Sequence, residues 1–129
     1  MTRTWLILAV AALVGALPAY GHHSFAASYL EDQTISVEGE LIELDYRNPH
    51  AWVHVSARDL SGRMQKVGAE WASASRLKLQ GITTETLKPG DRLILTGSPS
   101  RDPSQYRMHL KRIERPADGW TWIGRGQRL

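Results

Sequence analysis

Thr34–Tyr46 reads TISVEGELIELDY. Ile35, Val37, Gly39 and Leu41 alternate with Ser36, Glu38 and Glu40, the period of a half-buried strand. The phase then slips, because Ile42 and Leu44 are apolar while Glu43 is not. A long strand with an internal glycine and a phase slip predicts a bulge or a sharp bend. Asn48-Pro49 punctuates its end. Beyond it Ala51–Arg58 alternates again, with Val53 and Val55 on one face and Trp52, His54 and Ser56 on the other. Asp59-Leu60-Ser61-Gly62 predicts a hairpin to Met64–Trp71, where Val67, Ala69 and Trp71 share a face. Ser73–Gln80 is the one good helix candidate after the N-terminal segment: Ser73 or Ser75 can cap it, Ala74, Leu77 and Leu79 suit it, and Gly81 stops it. Leu87–Asp91 (LKPGD) is a turn, Arg92–Gly97 a strand with Leu93 and Leu95 on one face, Ser98–Gln105 a polar loop, and Tyr106–Arg115 a last strand with Met108 and Leu110 inward. The order β-β-β-α-β-β with a long bent first strand predicts a mainly β, five-stranded, OB-like Greek-key barrel. A β-sandwich asks for about seven strands, more than the five or six visible.

At 129 residues the chain has room for one domain. With no Cys it can have no disulfide, thiolate zinc site, iron–sulfur cluster or c-type haem attachment. Residues 1–21 read as a secretory signal peptide. Arg3 supplies the charge, Trp5–Leu17 is a 13-residue apolar run, and Ala19 and Gly21 are small residues at the −3 and −1 positions of a cut after Gly21. A membrane-spanning helix needs about 20 apolar residues, so no membrane anchor is expected after cleavage. The expected organisation is a signal peptide over 1–21, a barrel over 22–116 and a tail over 117–129 carrying Trp120, Trp122 and Ile123 back against the barrel. The mature chain has 15 Lys and Arg against 13 Asp and Glu, divided between a −4 half (His22–Ser75) and a +6 half (Arg76–Leu129). A basic half can meet nucleic acid or an anionic surface. Export and the scattered placement of the bases argue against nucleic acid and for a solvated basic face.

His22-His23-Ser24-Phe25-Ala26-Ala27, Asn48-Pro49-His50, Leu87-Lys88-Pro89-Gly90-Asp91 and Gly97-Ser98-Pro99 together resemble a family of small exported bacterial proteins, domain of unknown function 6152. The resemblance covers nearly all of His22–Pro116 and implies a periplasmic barrel with no known reaction. Two positions depart from the family pattern: Tyr46 and Ile82 stand where it usually has Trp.

Cleavage after Gly21 would make His22 the first residue. An N-terminal His offers its amine and ring Nδ1 to one metal as a chelate, and a further imidazole would complete a T-shaped nitrogen set that favours copper. The candidates around it are His23, His50, His54 and His109. His50 and His54 stand about 13 Å apart on a strand at ~3.3 Å per residue, so they cannot share one ion. A cut after Ala19 would instead place His22 third, a different copper- or nickel-binding arrangement. The bland reading of His22 and His23 is a frayed, solvated terminus. Asn48-Pro49 is a turn initiator, and His50 either sits on the barrel rim or simply starts the next strand. Trp52 and His54 could form a ligand platform of the kind OB-folds use across their second and third strands, or could pack against the Trp120/Trp122 segment. Arg101, in the loop between the last two strands, could receive an anion, although such residues are more often solvated.

No Ser-His-Asp spacing, phosphate-cradling glycine loop or His-Glu-x-x-His is present, so no enzyme is indicated. The expectation is a periplasmic binding or accessory protein. Its first reading is copper binding through the N-terminal histidines. Its second is an interaction barrel for protein, peptide or carbohydrate on the Trp52 face and the Ser98–Gln105 loop. A third is an envelope stress or assembly factor without a ligand. The partner would be an unknown periplasmic protein or small ligand.

Overall fold

Strand β1 (Ile35–Asp45) turns the corner that its sequence foretells. Its first half pairs antiparallel with β4 (Arg92–Pro99) from Ile35↔Gly97 to Glu40↔Arg92. Its second half pairs with β2 (Trp52–Arg58) from Glu40↔Ser56 to Asp45↔Trp52. The register shifts between Leu41 and Glu43, so Ile42 is the extra, bulged residue, and its side chain is exposed while Leu41 is buried. A bulge lets the inward face stay apolar on both sides of the slip. Gly39 stands at the corner because nothing larger fits: a Cβ there would lie 2.5 Å from the Ser56 carbonyl oxygen.

The computed structural model describes residues 24–126. The expected signal peptide, His22 and His23 lie outside the described residues. A four-residue helix, α1 (Phe25–Ser28), precedes β1. After β2 the chain reverses at Asp59–Gly62, where the Asp59 carboxylate accepts from the backbone N–H of Ser61 and Arg63, and Gly62 takes φ +82°. Strand β3 (Met64–Glu70) and helix α2 (Ala74–Leu79) follow. Ser73 caps α2 by accepting from Arg76 N at 3.2 Å, and Gly81 follows it at φ +76°. Leu77 is buried; Leu79 is exposed.

Strand β5 (Arg107–Arg115) closes the barrel. It pairs antiparallel with β4 and, over Gly68↔Arg107 to Glu70↔His109, parallel with β3. The circuit β1-β2-β3-β5-β4-β1 is a closed five-stranded barrel. Val53, Val55, Ala69, Leu93, Leu95, Met108 and Ile113 fill it and Trp71 seals it, each at most 1% exposed. The mainly β, five-stranded barrel foretold by element order is present.

Two segments differ from their reading. The stretch expected to be loop from Ser98 continues β4 through Pro99, paired Ser98↔His109 and Pro99↔Met108, with the loop starting only afterwards. A proline is tolerated there because it ends the strand. The tail after Pro116 carries a sixth strand, β6 (Trp120–Ile123), antiparallel to β5. Trp122 thereby meets Trp71 edge-on at 5.2 Å, so the tail does fold back onto the barrel. Among the described residues no helix is long and apolar enough to cross a membrane.

Candidate functional site

The parallel closure of β3 on β5 sets Glu70 beside His109, and the Asn48–His50 corner brings His50 to the same end of the barrel. Asn48 does more than start a turn: its side-chain oxygen accepts from Ser75 N (3.1 Å) and Ser75 Oγ (3.2 Å), while Arg47 O accepts from Ala74 N. The corner is therefore tied to the start of α2, and His50 projects from a braced position. Phe25, on α1, packs against both imidazoles. Its ring stacks on His109 at 3.6 Å and 1°, and stands 5.2 Å from His50.

Each imidazole is held by a carboxylate. His50 Nδ1 lies 2.7 Å from Glu70 Oε1, and His109 Nδ1 lies 2.8 Å from Glu31 Oε1. An ionised carboxylate only accepts, so Nδ1 carries the hydrogen in both rings. In the neutral tautomer Nε2 then keeps its lone pair free. This is the outer-shell arrangement that orients metal-ligating histidines and raises their basicity. The carboxylates are themselves held. Glu70 Oε2 accepts from the Tyr29 hydroxyl at 2.5 Å, and Glu31 Oε2 pairs with Lys111 Nζ at 3.3 Å. Tyr29 is fully buried; burial first, then its bond to Glu70, pushes its phenol well above the ordinary value. Arg107 stands over the Tyr29 ring at 5.6 Å.

A cleft of about 280 Å³ opens beside this assembly. Phe25, His50 and His109 border it, with Arg76 of α2 and Gln80 just after that helix, and with Lys111, Trp122 and Arg125. Gln80 fixes the far wall by accepting from Trp122 Nε1 at 2.8 Å.

Of the residues singled out from sequence, His50 and His109 come together in this cleft. Trp52 and His54 do not join them: they lie on the outer face of β2, nearly parallel at 6.1 Å, and half-exposed. Arg101 braces α1, donating through Nε to Ala26 O at 2.7 Å, while its backbone N–H bonds Ser28 O. Trp71 is core, as expected. Neither departure from the family pattern lines the cleft. The Tyr46 hydroxyl sits between the carbonyls of Ala74 and Ile82, at 3.0 and 2.8 Å, and the Ile82 side chain is buried. Among the described residues no three His, Asp or Glu are grouped to hold a metal ion. Sequence reasoning missed Glu31, Glu70, Tyr29 and the part played by Phe25. Only the aromatic in His-His-Ser-Phe offered a signal; the carboxylates reach their histidines across 20 and 78 residues of chain.

The fold and this geometry define a small closed β-barrel whose end carries a basic cleft with two carboxylate-fixed imidazoles. The chain belongs to the family of unknown function DUF6152, whose model matches residues 9–109. A search of curated proteins found no match.

Proposed function

We propose that this protein is exported to the periplasm, loses residues 1–21, and works there as a metal-binding accessory protein of OB-fold type that takes copper through its new N-terminus. The observation that carries this reading is the packing of Phe25 against His50 and His109, each with Nδ1 committed to a carboxylate and Nε2 free. Phe25 is only three residues after His22. At a maximum of about 3.6 Å per residue, the chain keeps the two Cα atoms within about 11 Å of each other. The His22 amine and ring would supply two nitrogens and His50 or His109 a third, with His23 beside them. Amine and imidazole donors suit copper in an oxidising compartment. The described histidines form an incomplete set, which fits a site finished only by cleavage.

The test is to purify the mature protein from the periplasm, establish its N-terminus by mass, and titrate Cu(II) and Zn(II). One-to-one copper binding, lost in His22→Ala and weakened in His50→Ala or His109→Ala, supports the reading. Binding unaffected by all three substitutions would overturn it.

A second reading, an interaction barrel for a peptide, protein or carbohydrate, is favoured by one feature. Trp52 and His54 form a nearly parallel, half-exposed pair on β2, on the surface where OB-type barrels hold oligomeric ligands. Trp52→Ala would abolish partner capture under this reading and leave copper binding intact.

A further inference from the structure

The cleft beside the histidines has a charge pattern that the metal reading does not use. Arg76, Lys111 and Arg125 border it and no acidic side chain does; Glu31 and Glu70 are occupied in holding the imidazoles. Lys111 is a buried lysine, its side chain only 10% exposed, with its ammonium bonded to the carboxylate and the carbonyl of Glu31. Arg76 and Arg125 differ from it: among the described residues neither guanidinium has an ion-pair or hydrogen-bond partner. Of the other cations among the described residues, Arg47, Arg63, Lys66, Lys88, Arg92, Arg112 and Arg115 pair with an acid, and Arg58, Lys78, Arg101 and Arg107, which do not, lie away from this cleft. Lys111 is offset by Glu31, so the two guanidiniums without a partner among the described residues are what make the cleft a receptor for negative charge.

Two aromatic rings share the lining with the histidines, Ser73 and Gln80. Trp122 presents a fixed ring, since its N–H is taken by Gln80 and it stands nearly perpendicular to the Trp71 ring at 5.2 Å. Phe25 faces into the same space. A volume of about 280 Å³ falls just below the usual range of ligand pockets, roughly 300–1,000 Å³, and suits a small metabolite-sized molecule. An inorganic anion would satisfy the arginines but leave both aromatic walls uncovered.

We infer that the cleft binds a small organic carboxylate, its anionic head between Arg76 and Arg125 and its flat or apolar body against Trp122 and Phe25. Guanidinium suits this task because its planar fork matches a carboxylate with two parallel hydrogen bonds. Both arginines are exposed, so the attraction is screened by salt, and binding weakens as ionic strength rises. This inference does not depend on copper: the cations and the aromatic walls belong to the described barrel, whereas the metal reading requires His22.

The experiment uses the full mature protein, freed of metal on a chelating resin so that no soluble carboxylate chelator remains. Benzoate, benzyl alcohol and inorganic phosphate are titrated at constant ionic strength, with the Trp122 indole N–H followed by NMR. The expected result is a saturable shift with benzoate, none with benzyl alcohol, and at least about tenfold weaker binding for phosphate. Arg76→Gln combined with Arg125→Gln, both exposed and away from the core, is expected to weaken benzoate about tenfold or more while the rest of the spectrum stays in place. His22→Ala is expected to leave benzoate binding unchanged whatever it does to copper, so failure of one reading is distinguishable from failure of the other. A linear, non-saturating response to benzoate, equal binding of phosphate or benzyl alcohol, or a double variant that binds as well as the parent would each overturn the inference.

Discussion

Replacing Glu70 with Gln perturbs the site at the atom pair on which most of it hangs. The carboxylate accepts two hydrogen bonds, from the Tyr29 hydroxyl at 2.5 Å and from His50 Nδ1 at 2.7 Å. Gln keeps the shape but offers one acceptor oxygen and an NH₂ donor, so one of the two donors faces a donor. Tyr29 is fully buried and Glu70 has a side chain only 16% exposed, so water does not readily step in. A hydrogen bond to a charged group contributes about 1.5–3 kcal/mol, and a buried polar group left unpaired costs about 1–3 kcal/mol. One charge-assisted bond is lost and the other weakened, so the expected destabilisation is about 2–4 kcal/mol. At about 4–8 °C per kcal/mol for a domain near this size, the melting temperature falls by roughly 8–30 °C. Urea and thermal unfolding measure this directly. Tyr29→Phe and the double variant complete a cycle. Because the two residues share a bond, their effects must fall short of additive by about 1 kcal/mol or more. Imidazole ¹⁵N shifts provide a readout that stability alone does not: His50 is expected to hold its hydrogen on Nδ1 in the parent and to lose that bias in Glu70→Gln. A loss below about 0.5 kcal/mol, additive effects, or an unchanged His50 tautomer would refute the argument that Glu70 fixes both side chains.

Three further outcomes follow from the same geometry. A Cβ at Gly97 would stand 2.1 Å from the His109 carbonyl oxygen, whereas one at Gly68 meets mainly the His54 ring at 3.3 Å; Gly97→Ala is therefore expected to cost about 3 kcal/mol and Gly68→Ala well under 1, as read by denaturant unfolding. Tyr29 is held protonated above its ordinary value of 10.0, so its contribution to stability is complete below about pH 10 and is lost as pH rises beyond it; an alkaline unfolding series should show Tyr29→Phe losing less stability than the parent over that range. His54 moves the other way, its affinity for protons lowered below 6.5 by partial burial and then by Lys66; the folded state resists its protonation, so stability falls as pH drops below about 6.5, and His54→Gln should flatten that part of the curve.

The sequence carried the barrel where the signals were local. Gly39 and the slip after Leu41 marked a corner, and the corner is there, with Ile42 as its bulged residue. Ser73 and Gly81 bounded the helix to within a residue or two. Pro99 misled, because a polar stretch with two prolines has the composition of a loop, while the strand still has partners across β5 and Leu30 N bonds Pro99 O. The tail gave no alternation strong enough to name β6, whose four residues gain their place by pairing with β5 rather than by propensity. At the candidate site the histidines could be named from composition and spacing, but their carboxylates could not. Glu70 meets His50 through the β2–β3 hairpin, where it stands opposite Trp52, but it adjoins His109 only through the parallel closure of β3 on β5, a non-local pairing with no pattern in the chain. Arg101, read as an anion receptor or a solvated loop cation, has a further part that its sequence did not signal: its Nε ties that loop to α1.

The most direct measurement of the metal proposal is copper affinity as a function of the N-terminal residue. Two mature proteins are compared, one beginning at His22 and one with a single Ala placed before it, otherwise identical. The account predicts one-to-one Cu(II) binding in the first, with nitrogen couplings from the terminal amine and imidazoles by electron paramagnetic resonance. In the second it predicts affinity lowered by at least about a hundredfold, because the amine is carried one residue away from the His22 ring. Equal affinities and identical spectra for the two would contradict it.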